Sequence, residues 1–242
     1  MKILVTNDDG FESEGIAALA DALKGAGHGV LIVAPERDMS GTSHSMSIAN
    51  RIALKRLAEG FWVCRGTPVD CVISVVSGGI SFKPDAVVSG INAGANLGTD
   101  ILYSGTAAAA RQAALGGIPA VAFSLVGDHP FHWAAAARWA AGNVEGLLGL
   151  WNKDVFINVN MPNMAPMPQG FTFGFPSRRA YVERLEAVDE ADGWQSLHIR
   201  SFEVKTDFEA GSDHDLASKN TVAVSAVFLH PITVDRVKEK TT

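Results

Sequence analysis

The chain has 242 residues, of which 47% are hydrophobic and 19% are charged, and its 20 basic and 26 acidic residues give a formal net charge of −6. This composition is typical of a globular protein with a sizeable core and excludes a disordered chain. The acidic balance argues against a nucleic-acid polymer as the partner, although it is compatible with a small nucleotide held through a metal ion. The only cysteines, Cys64 and Cys71, are too few for a disulfide scaffold and predict a reducing cytoplasm.

The chain opens with a short apolar run that two adjacent carboxylates follow. Residues 3–5 predict a buried strand, and Asp8 and Asp9 come directly after it in the sequence Asn-Asp-Asp-Gly. The carboxyl end of the first strand is the edge at which open α/β sheets bind ligands. Two neighbouring negative charges favour a bound cation, so a hard-metal site is one interpretation. An ordinary turn, which prefers the same residue types, is the other.

Strand and helix patterns alternate through the first two thirds of the chain. They predict helices over residues 13–24, 68–77, 104–115 and 134–150, and strands over residues 30–34, 48–57, 60–65, 86–90, 119–125 and 156–160. This alternation predicts an α/β fold with a Rossmann-like, doubly wound and mainly parallel sheet that helices cover on both faces.

The character of the sequence changes near residue 162, where prolines become frequent. We therefore predict an α/β core over residues 1–161 and a C-terminal extension over residues 162–242, within one domain overall. In the extension, residues 181–188 and 194–205 predict a long β-hairpin, and residues 221–228 predict a final strand. An isolated two-stranded ribbon is marginally stable unless it packs on something, so we expect the extension to serve in oligomerisation.

No segment predicts secretion or membrane insertion. Asp8 and Asp9 interrupt the N-terminus before the apolar region of a signal peptide could form. The apolar residues 107–126 include Arg111 and are broken by Pro119, so they predict a helix, a loop and a strand rather than a membrane span.

Polar loops follow several of the predicted strands. The loop over residues 35–45 is rich in hydroxyl groups and includes Ser40, and the loop after the 86–90 strand carries Asn92 and Asn96. Glycines at four-residue intervals in that second loop would let backbone amides approach a ligand, and asparagine offers a neutral oxygen or an amide donor. Because parallel strands end at one edge of the sheet, we expect these loops to meet there.

A possible anion site precedes the alanine-rich helix. Ser104, Gly105 and Thr106 would present hydroxyl groups and free amides at a helix N-terminus, although a plain N-cap explains Ser104 equally well. Oxygen donors without a local histidine or cysteine cluster favour Mg²⁺ or Mn²⁺. A hard cation beside an anion-binding helix end is the arrangement that phosphoryl transfer requires.

Five motifs in one order resemble the SurE family, which consists of metal-dependent phosphohydrolases of nucleoside 5′-monophosphates. They are residues 6–10 (TNDDG), the Ser40-Gly41 loop, and residues 66–72 (GTPVDCV), 89–98 (SGINAGANLG) and 103–109 (YSGTAAA). The resemblance is in register over residues 1–125. It implies that one divalent cation per subunit is bound by Asp8, Asp9, Ser40 and Asn92. It also implies that the substrate phosphate is held by Asn96, Ser104, Gly105 and Thr106.

The resemblance further implies a cytoplasmic homodimer or homotetramer, and some members of the family also hydrolyse 3′-nucleotides or short polyphosphate. In the mechanism we favour, Asp8 orients an attacking water; Asp8 as the nucleophile is the alternative. Residues 207–215 depart from the family pattern. There, Asp213, His214 and Asp215 are either a second metal site or, as we favour, a solvated loop.

Two competing functions fit parts of the same sequence. A non-catalytic, metal-dependent nucleotide sensor would use the same residues and differs only in lacking turnover. A Rossmann-type oxidoreductase is disfavoured, because no glycine-rich turn follows the first strand and acidic residues occupy its place.

Overall fold

A nine-stranded sheet forms the centre of the computed structural model, which describes residues 1–191 and 193–231. The strands of the protein are β1 Lys2–Thr6, β2 Gly29–Pro35, β3 Ala53–Ala58, β4 Phe61–Arg65, β5 Ala86–Ala93, β6 Ala120–Val126, β7 Val155–Pro162, β8 Thr172–Phe173, β9 Arg179–Ala191, β10 Trp194–Thr206 and β11 Ala223–Phe228. The central sheet has the order β3-β4-β2-β1-β5-β6-β7-β11-β8, and β9 and β10 form a separate hairpin.

The six strands from β4 to β7 across the middle of the sheet are all parallel. β3 is antiparallel to β4, and β11 is antiparallel to β7. Strands buried on both faces are apolar at consecutive positions, as in β1, where Ile3 and Val5 face one core and Leu4 faces the other. The predicted mainly parallel sheet is therefore confirmed.

Helices cover both faces of this sheet. They are α1 Glu14–Gly25, α2 Pro68–Val76, α3 Gly105–Leu115, α4 Trp133–Leu148 and α5 Asp213–Ser218. Helices α1 and α4 pack together on one face, and α2 and α3 pack on the other. The doubly wound α/β prediction is thus confirmed. No helix within the described ranges has the length and apolar character that crossing a membrane requires.

Local sequence signals set the start of α2. The side chain of Thr67 accepts a hydrogen bond from the Asp70 amide (3.2 Å), and the Asp70 carboxylate accepts one from the Thr67 amide (2.8 Å). This reciprocal capping box satisfies two amides that a helix start leaves free, and Pro68 occupies a position where its missing N–H costs nothing. The helix therefore begins where the sequence predicts it.

Most predicted boundaries shift by a few residues, and two predictions differ more from the structure. The predicted strand 48–57 begins only at Ala53, because β4 offers ladder partners from there onward, and Ile48 is exposed. The predicted solvated loop at 213–215 is wrong: these residues begin helix α5, in which Asp213 and Asp215 are buried. Their burial is offset by hydrogen bonds that the sequence pattern alone does not reveal.

The predicted C-terminal hairpin is confirmed as β9 and β10, which pair antiparallel from Arg179 and Thr206 to Ala191 and Trp194. The other strands after residue 162 do not stand apart from the core. β11 pairs with β7, and β8 pairs with β11, so the central sheet contains strands from both predicted parts of the chain.

Candidate metal and phosphate site

A cavity of about 520 Å³ lies beyond the carboxyl ends of β1, β2 and β5. Among the predicted site residues, its lining includes Asp8, Ser40, Asn92, Asn96 and Ser104. The structure therefore brings together side chains from four separate loops, as the parallel topology predicts. Gly105 and Thr106 lie behind this lining, and Asp9 faces a neighbouring cavity.

Asp8 is buried at the end of β1 and is held by the start of α3. The hydroxyl of Thr106 donates to Oδ1 of Asp8, and the backbone amides of Gly105 and Thr106 also stabilise the carboxylate. Burial nevertheless has the larger effect and raises the pKa of Asp8 above its ordinary value. The Asp8 carboxylate is thus held by hydrogen-bond donors, and a bound cation would favour its ionised form.

Gly105 allows α3 to begin directly against Asp8. A Cβ atom at position 105 would lie 2.7 Å from the Cβ of Asp8 and 2.9 Å from its Oδ2, closer than carbon atoms normally approach. Any side chain at this position would push the helix terminus away from the carboxylate. The sequence indicated that a helix starts here. It did not indicate that this helix packs on Asp8, because the two residues are nearly a hundred positions apart in the sequence.

Asp9 points to the other side of the loop, toward a second cavity of about 240 Å³ that Glu14 and His129 also line. Its carboxylate accepts a long hydrogen bond from the amide of Ala93 (3.4 Å). Burial, followed by the negative charge of Asp8, raises the pKa of Asp9 to about 7. The two adjacent carboxylates therefore interact unfavourably when both are ionised.

Ser40 and Asn92 are each oriented by one neighbour. The Ser40 hydroxyl donates to Oδ1 of Asp38 (2.6 Å), and the Ser40 amide donates to the same oxygen (2.8 Å). Nδ2 of Asn92 donates to the carbonyl of Gly94 (3.0 Å). Oγ of Ser40 and Oδ1 of Asn92 each keep lone pairs with which they can accept a hydrogen bond or coordinate a cation. Asp38 was not among the predicted site residues, although it lies in the predicted hydroxyl-rich loop.

The donors at this site suit a hard divalent cation. Among the predicted ligands, the carboxylate of Asp8, the hydroxyl of Ser40 and the amide oxygen of Asn92 line this cavity, and these are ligand types that Mg²⁺ and Mn²⁺ prefer. None of the described residues that line the cavity is a lysine, an arginine or a histidine. The described part of the chain also lacks a cluster of three acidic, histidine or cysteine side chains that could hold a metal. Of the four predicted ligands, three thus line this cavity, whereas Asp9 faces the neighbouring one.

Asn96 is fixed by residues that the sequence analysis did not identify. The backbone amide of Asn96 donates to Oδ1 of Asn160 (2.9 Å), and its backbone carbonyl accepts from Nδ2 of Asn158 (2.9 Å). Its side-chain Nδ2 donates to Oγ of Ser124 (2.8 Å). These partners are buried in β6 and β7. A usable signal was present, because two asparagines interrupt an otherwise apolar strand at residues 155–161.

Ser104 caps α3 and also lines the cavity. Its Oγ accepts from the amide of Ala107 (3.0 Å), so the plain N-cap interpretation holds for this hydroxyl. Thr106 is fully buried, and its hydroxyl donates a hydrogen bond to Asp8 rather than facing the open cavity. The phosphate-binding role of residues 104–106 stays a prediction.

The hairpin contributes a side of the cavity that the sequence analysis also missed. Tyr181 donates its hydroxyl hydrogen to Asp100, and the guanidinium of Arg179 pairs with the same carboxylate. Burial outweighs this ion pair and raises the pKa of Asp100 to about 6. Asp100 lies in the 3₁₀ turn Gly98–Leu102, so the base of the hairpin is tied to the segment directly before Ser104.

Asp213 anchors the same segment from α5. Its Oδ2 accepts from the amide of Gly98 (2.7 Å), and its Oδ1 accepts from the amide of Ser177 (2.9 Å). A Cβ atom on Gly98 would lie 2.0 Å from the carbonyl oxygen of Ser177, so the two segments approach backbone to backbone. Asp213 is thus a buried hydrogen-bond acceptor, and Asp215 is paired with Lys219 (2.8 Å). Neither arrangement resembles the second metal site that was considered.

Comparison with known proteins agrees with this architecture. A curated relative from Treponema pallidum (strain Nichols), named 5′-nucleotidase SurE, is 47% identical over 167 residues, which cover 66% of this chain and 89% of that protein. One from Chromobacterium violaceum with the same name is 43% identical over 171 residues, 70% of this chain and 69% of the relative. The crystal structure of SurE protein from Aquifex aeolicus matches with a TM-score of 0.82 at 33% identity, covering 99% of this chain and 98% of that one.

The family model described as survival protein SurE matches residues 3–183, which include every predicted metal and phosphate residue. This match covers more than half of the chain, and the structural match extends it through the hairpin. The chain therefore belongs to the SurE family.

Proposed function

We propose that this protein is a divalent-metal-dependent phosphatase that hydrolyses nucleoside 5′-monophosphates to nucleoside and phosphate. The observation that carries the proposal is the cavity in which Asp8, Ser40 and Asn92 present oxygen atoms beside the start of α3. The relatives named 5′-nucleotidase SurE support the same reaction. A cavity of about 520 Å³ is also within the usual size of small-molecule sites.

One Mg²⁺ or Mn²⁺ per subunit would be held by Asp8, Asp9, Ser40 and Asn92. When bound, such an ion neutralises charge on a phosphate oxygen and makes a nearby water more acidic. Asn96 and the 104–106 segment would hold the remaining phosphate oxygens. Nδ2 of Asn96 has a second N–H besides the one it donates to Ser124, and the start of α3 is electropositive.

Asp8 is better suited to orient a water molecule than to attack phosphorus itself. Its Oδ1 already accepts from the Thr106 hydroxyl, and amides at the start of α3 stabilise its negative charge. These contacts occupy Oδ1 and fix the carboxylate against the start of α3, a geometry that suits orienting a water molecule. We therefore propose water as the nucleophile. Rapid acid quench during turnover, followed by mass spectrometry, should detect no phosphorylated Asp8; trapping that acyl phosphate would overturn this assignment.

Turnover by the chelator-treated protein tests the function as a whole. We expect hydrolysis of nucleoside 5′-monophosphates to be lost after EDTA treatment and restored by Mg²⁺ or Mn²⁺. Asp9→Asn should lower the restored rate by roughly 100-fold or more, because it removes a charged ligand. Asp21→Asn, at an exposed carboxylate on α1, is the matched control and should leave the rate unchanged. Binding of nucleotide without turnover would contradict the proposal and favour a sensor.

The proposed assembly is a homodimer or homotetramer that forms through the hairpin. Leu185, Trp194 and Leu197 are exposed on β9 and β10, and an extended ribbon with apolar side chains gains stability by packing on another subunit. Light scattering after size-exclusion chromatography should give a mass of two or four chains. Leu185→Lys should shift the protein toward monomer, whereas a monomeric wild-type protein would contradict the assembly.

A cytoplasmic location accords with the two thiols. Cys64 and Cys71 are free and buried, and burial raises the pKa of the Cys71 thiol, which keeps it unreactive. Neither residue stabilises the fold through a disulfide, so a reducing compartment would cost the protein nothing.

A further inference from the structure

A separate cavity of about 450 Å³ adjoins the 3₁₀ turn Gly98–Leu102. Asp100 of this turn lines the cavity of the candidate metal site, whereas Ile101 and Leu102 line the separate one. The two cavities share no lining residue in the described part of the chain. We call the separate one the arginine cavity, after Arg111 in its lining. Its volume is within the usual range of small-molecule sites.

Arg111 brings a cation into this cavity without a carboxylate partner among the described residues. The residue lies on α3 and is partly buried, and its guanidinium carbon lies 5.4 Å from the centroid of the Phe156 ring, a cation–π contact. Within the described structure, its hydrogen bond is a long one from Nη2 to the carbonyl of Ile101 (3.4 Å). Burial lowers the pKa of the Arg111 guanidinium, which still stays protonated at neutral pH. The guanidinium is therefore held in place and keeps N–H donors for a ligand.

A buried hydroxyl in the same lining is also unpaired. Ser177 is 3% exposed, and no described residue makes a hydrogen bond with its Oγ. Its backbone is fixed, because its amide donates to Oδ1 of Asp213 (2.9 Å). A buried hydroxyl without a partner costs free energy, and a ligand that accepts a hydrogen bond would remove that cost. Arg111 and Ser177 thus both offer donors to an anion.

The rest of the lining is mostly apolar and, among the described residues, includes no acidic side chain. Leu102 and Phe228 are each 59% exposed. One guanidinium matches one negative charge, and its planar fork pairs with both oxygens of a carboxylate. A doubly charged phosphate ester would keep one charge uncompensated beside apolar side chains. The chemistry of the cavity therefore favours an anion with a single charge and an apolar body.

We propose that the arginine cavity binds a small organic monocarboxylate, with its carboxylate on Arg111 and Ser177 and its apolar body against Leu102 and Phe228. This site goes beyond the phosphatase function and does not rest on it, because the two cavities have separate linings. The 3₁₀ turn lies between them, so the carboxylate binds without displacing phosphate from the candidate metal site.

Calorimetric titration of the metal-free protein in EDTA tests the site, with phenylacetate as the probe and phenylacetamide as its uncharged counterpart. The wild-type protein should bind phenylacetate at least about tenfold more tightly than the amide, because charge-assisted hydrogen bonds to the guanidinium are lost in the amide. Excess inorganic phosphate at matched ionic strength should leave the dissociation constant of phenylacetate unchanged.

Substitutions in the lining locate the bound carboxylate. Arg111→Met keeps an apolar stem against Phe156 but removes the charge, and it should weaken phenylacetate binding by about tenfold or more. Ser177→Ala removes one hydrogen-bond donor and should weaken binding by about 2- to 10-fold. Arg138→Met, at an exposed cation on α4, is the matched control and should bind phenylacetate as the wild type does. Circular-dichroism melting of each variant checks that it is folded.

The contradicting outcomes concern this site alone. A wild-type protein that binds no phenylacetate, or binds phenylacetate and phenylacetamide equally, overturns the proposal, and so does displacement of phenylacetate by inorganic phosphate. Unchanged affinity in a folded Arg111→Met variant also overturns it. Should that variant not fold, unchanged affinity in Ser177→Ala decides against the site instead. Hydrolysis of nucleoside 5′-monophosphates by the same preparation, with metal restored, reports separately on the proposed function.

Discussion

Asp8 and Asp9 are two acidic neighbours in an environment that disfavours their charge. Asp8 is almost fully buried, and burial together with mutual repulsion raises the pKa of Asp9 to about 7. Within the described structure, the stabilising contacts of Asp8 are hydrogen bonds from Thr106 and from the start of α3 rather than an ion pair. A divalent cation would attract both carboxylates and offset their burial and mutual repulsion. The residues that destabilise the metal-free protein would therefore stabilise the metal-bound protein.

This charge imbalance predicts a pH-dependent stability of the metal-free protein. A carboxyl group with a raised pKa in the folded state contributes stability below its ordinary pKa, and that stability is lost as pH rises through the folded value. With Asp9 at about 7 and Asp8 also raised, the melting temperature in EDTA should fall between pH 5 and pH 8, by roughly 5 °C or more.

Added Mg²⁺ or Mn²⁺ should oppose this fall, because the cation binds the ionised carboxylates and competes with protons. Differential scanning calorimetry at several pH values, with and without metal, measures both effects. The metal-induced rise in melting temperature should be larger at pH 8 than at pH 5. An equal rise at both values would contradict the assignment of these carboxylates as ligands.

A substitution of Thr106 tests the hydrogen bond that holds Asp8. Thr106→Val keeps the shape of the side chain but removes the donor to Asp8 inside a buried site, which should cost about 1–3 kcal/mol of stability in the absence of metal. We expect metal affinity to change as well, because the orientation of the carboxylate is lost. Thr106→Ser restores the hydroxyl and should recover metal affinity, measured by calorimetric titration; a serine variant as weak as valine would contradict this role.

At the scale of elements, the site depends on how closely α3 approaches β1. Gly105→Ala would place a Cβ atom 2.7 Å from the Cβ of Asp8 and displace the start of the helix. We expect this variant to lose phosphatase activity by at least about tenfold, because positioning accounts for much of phosphoryl-transfer catalysis. The measurement is kcat/KM for a nucleoside 5′-monophosphate.

Gly142 offers a matched control for that change. It also lies within a helix, α4, but a Cβ atom there would meet nothing within 4 Å. Gly142→Ala should keep full activity and raise stability by about 0.5–1 kcal/mol, the usual gain of alanine over glycine in a helix. Equal activity in both alanine variants would show that the close contact of α3 with Asp8 is not required.

The short helix α5 supports the cavity from a distance. Asp213→Asn replaces one carboxylate oxygen by a donor that would face the amide of Gly98 or of Ser177. The variant should lose about 1–3 kcal/mol of stability, measured by urea unfolding, and its KM for substrate should rise because Gly98 begins the turn that precedes Ser104. Asp207→Asn, at an exposed position, is the control and should resemble wild type.

The sequence predicted those elements whose patterns are local. The apolar runs of β1 and β5 and the helical spacing of α1 each reflect short-range constraints, and the structure contains these elements near the predicted positions. Helix α5 was missed because six residues give too short a period to recognise, and the burial of Asp213 depends on Gly98, more than a hundred residues away.

The candidate site was predictable to the same degree. Parallel topology places Asp8, Ser40 and Asn92 at one edge, and that consequence follows from the order of strands and loops alone. The contributions of Asn160 and Tyr181 did not follow, because they depend on which later strand lies beside the site. Long-range placement, rather than residue type, was the information missing from the sequence.

At the scale of the whole molecule, the cavity is shared between the two predicted parts of the chain. Asp8 and Ser104 come from the first part, whereas Tyr181 and Glu183 come from the base of the hairpin. Asp100 and Asp213 tie the two parts together through buried hydrogen bonds. Substrate binding therefore depends on the position of the hairpin. A substitution at the hairpin base should change KM for the substrate more than it changes the affinity for the metal.

Metal binding by the whole protein tests the central claim most directly, because every proposed step depends on a cation at the end of β1. Calorimetric titration of Mn²⁺ into the chelator-treated chain should give one site per subunit, and Asp8→Asn should abolish that site while the circular-dichroism spectrum stays native. A wild-type protein that binds no Mn²⁺, or an Asp8→Asn variant that binds it with unchanged affinity, would contradict the account.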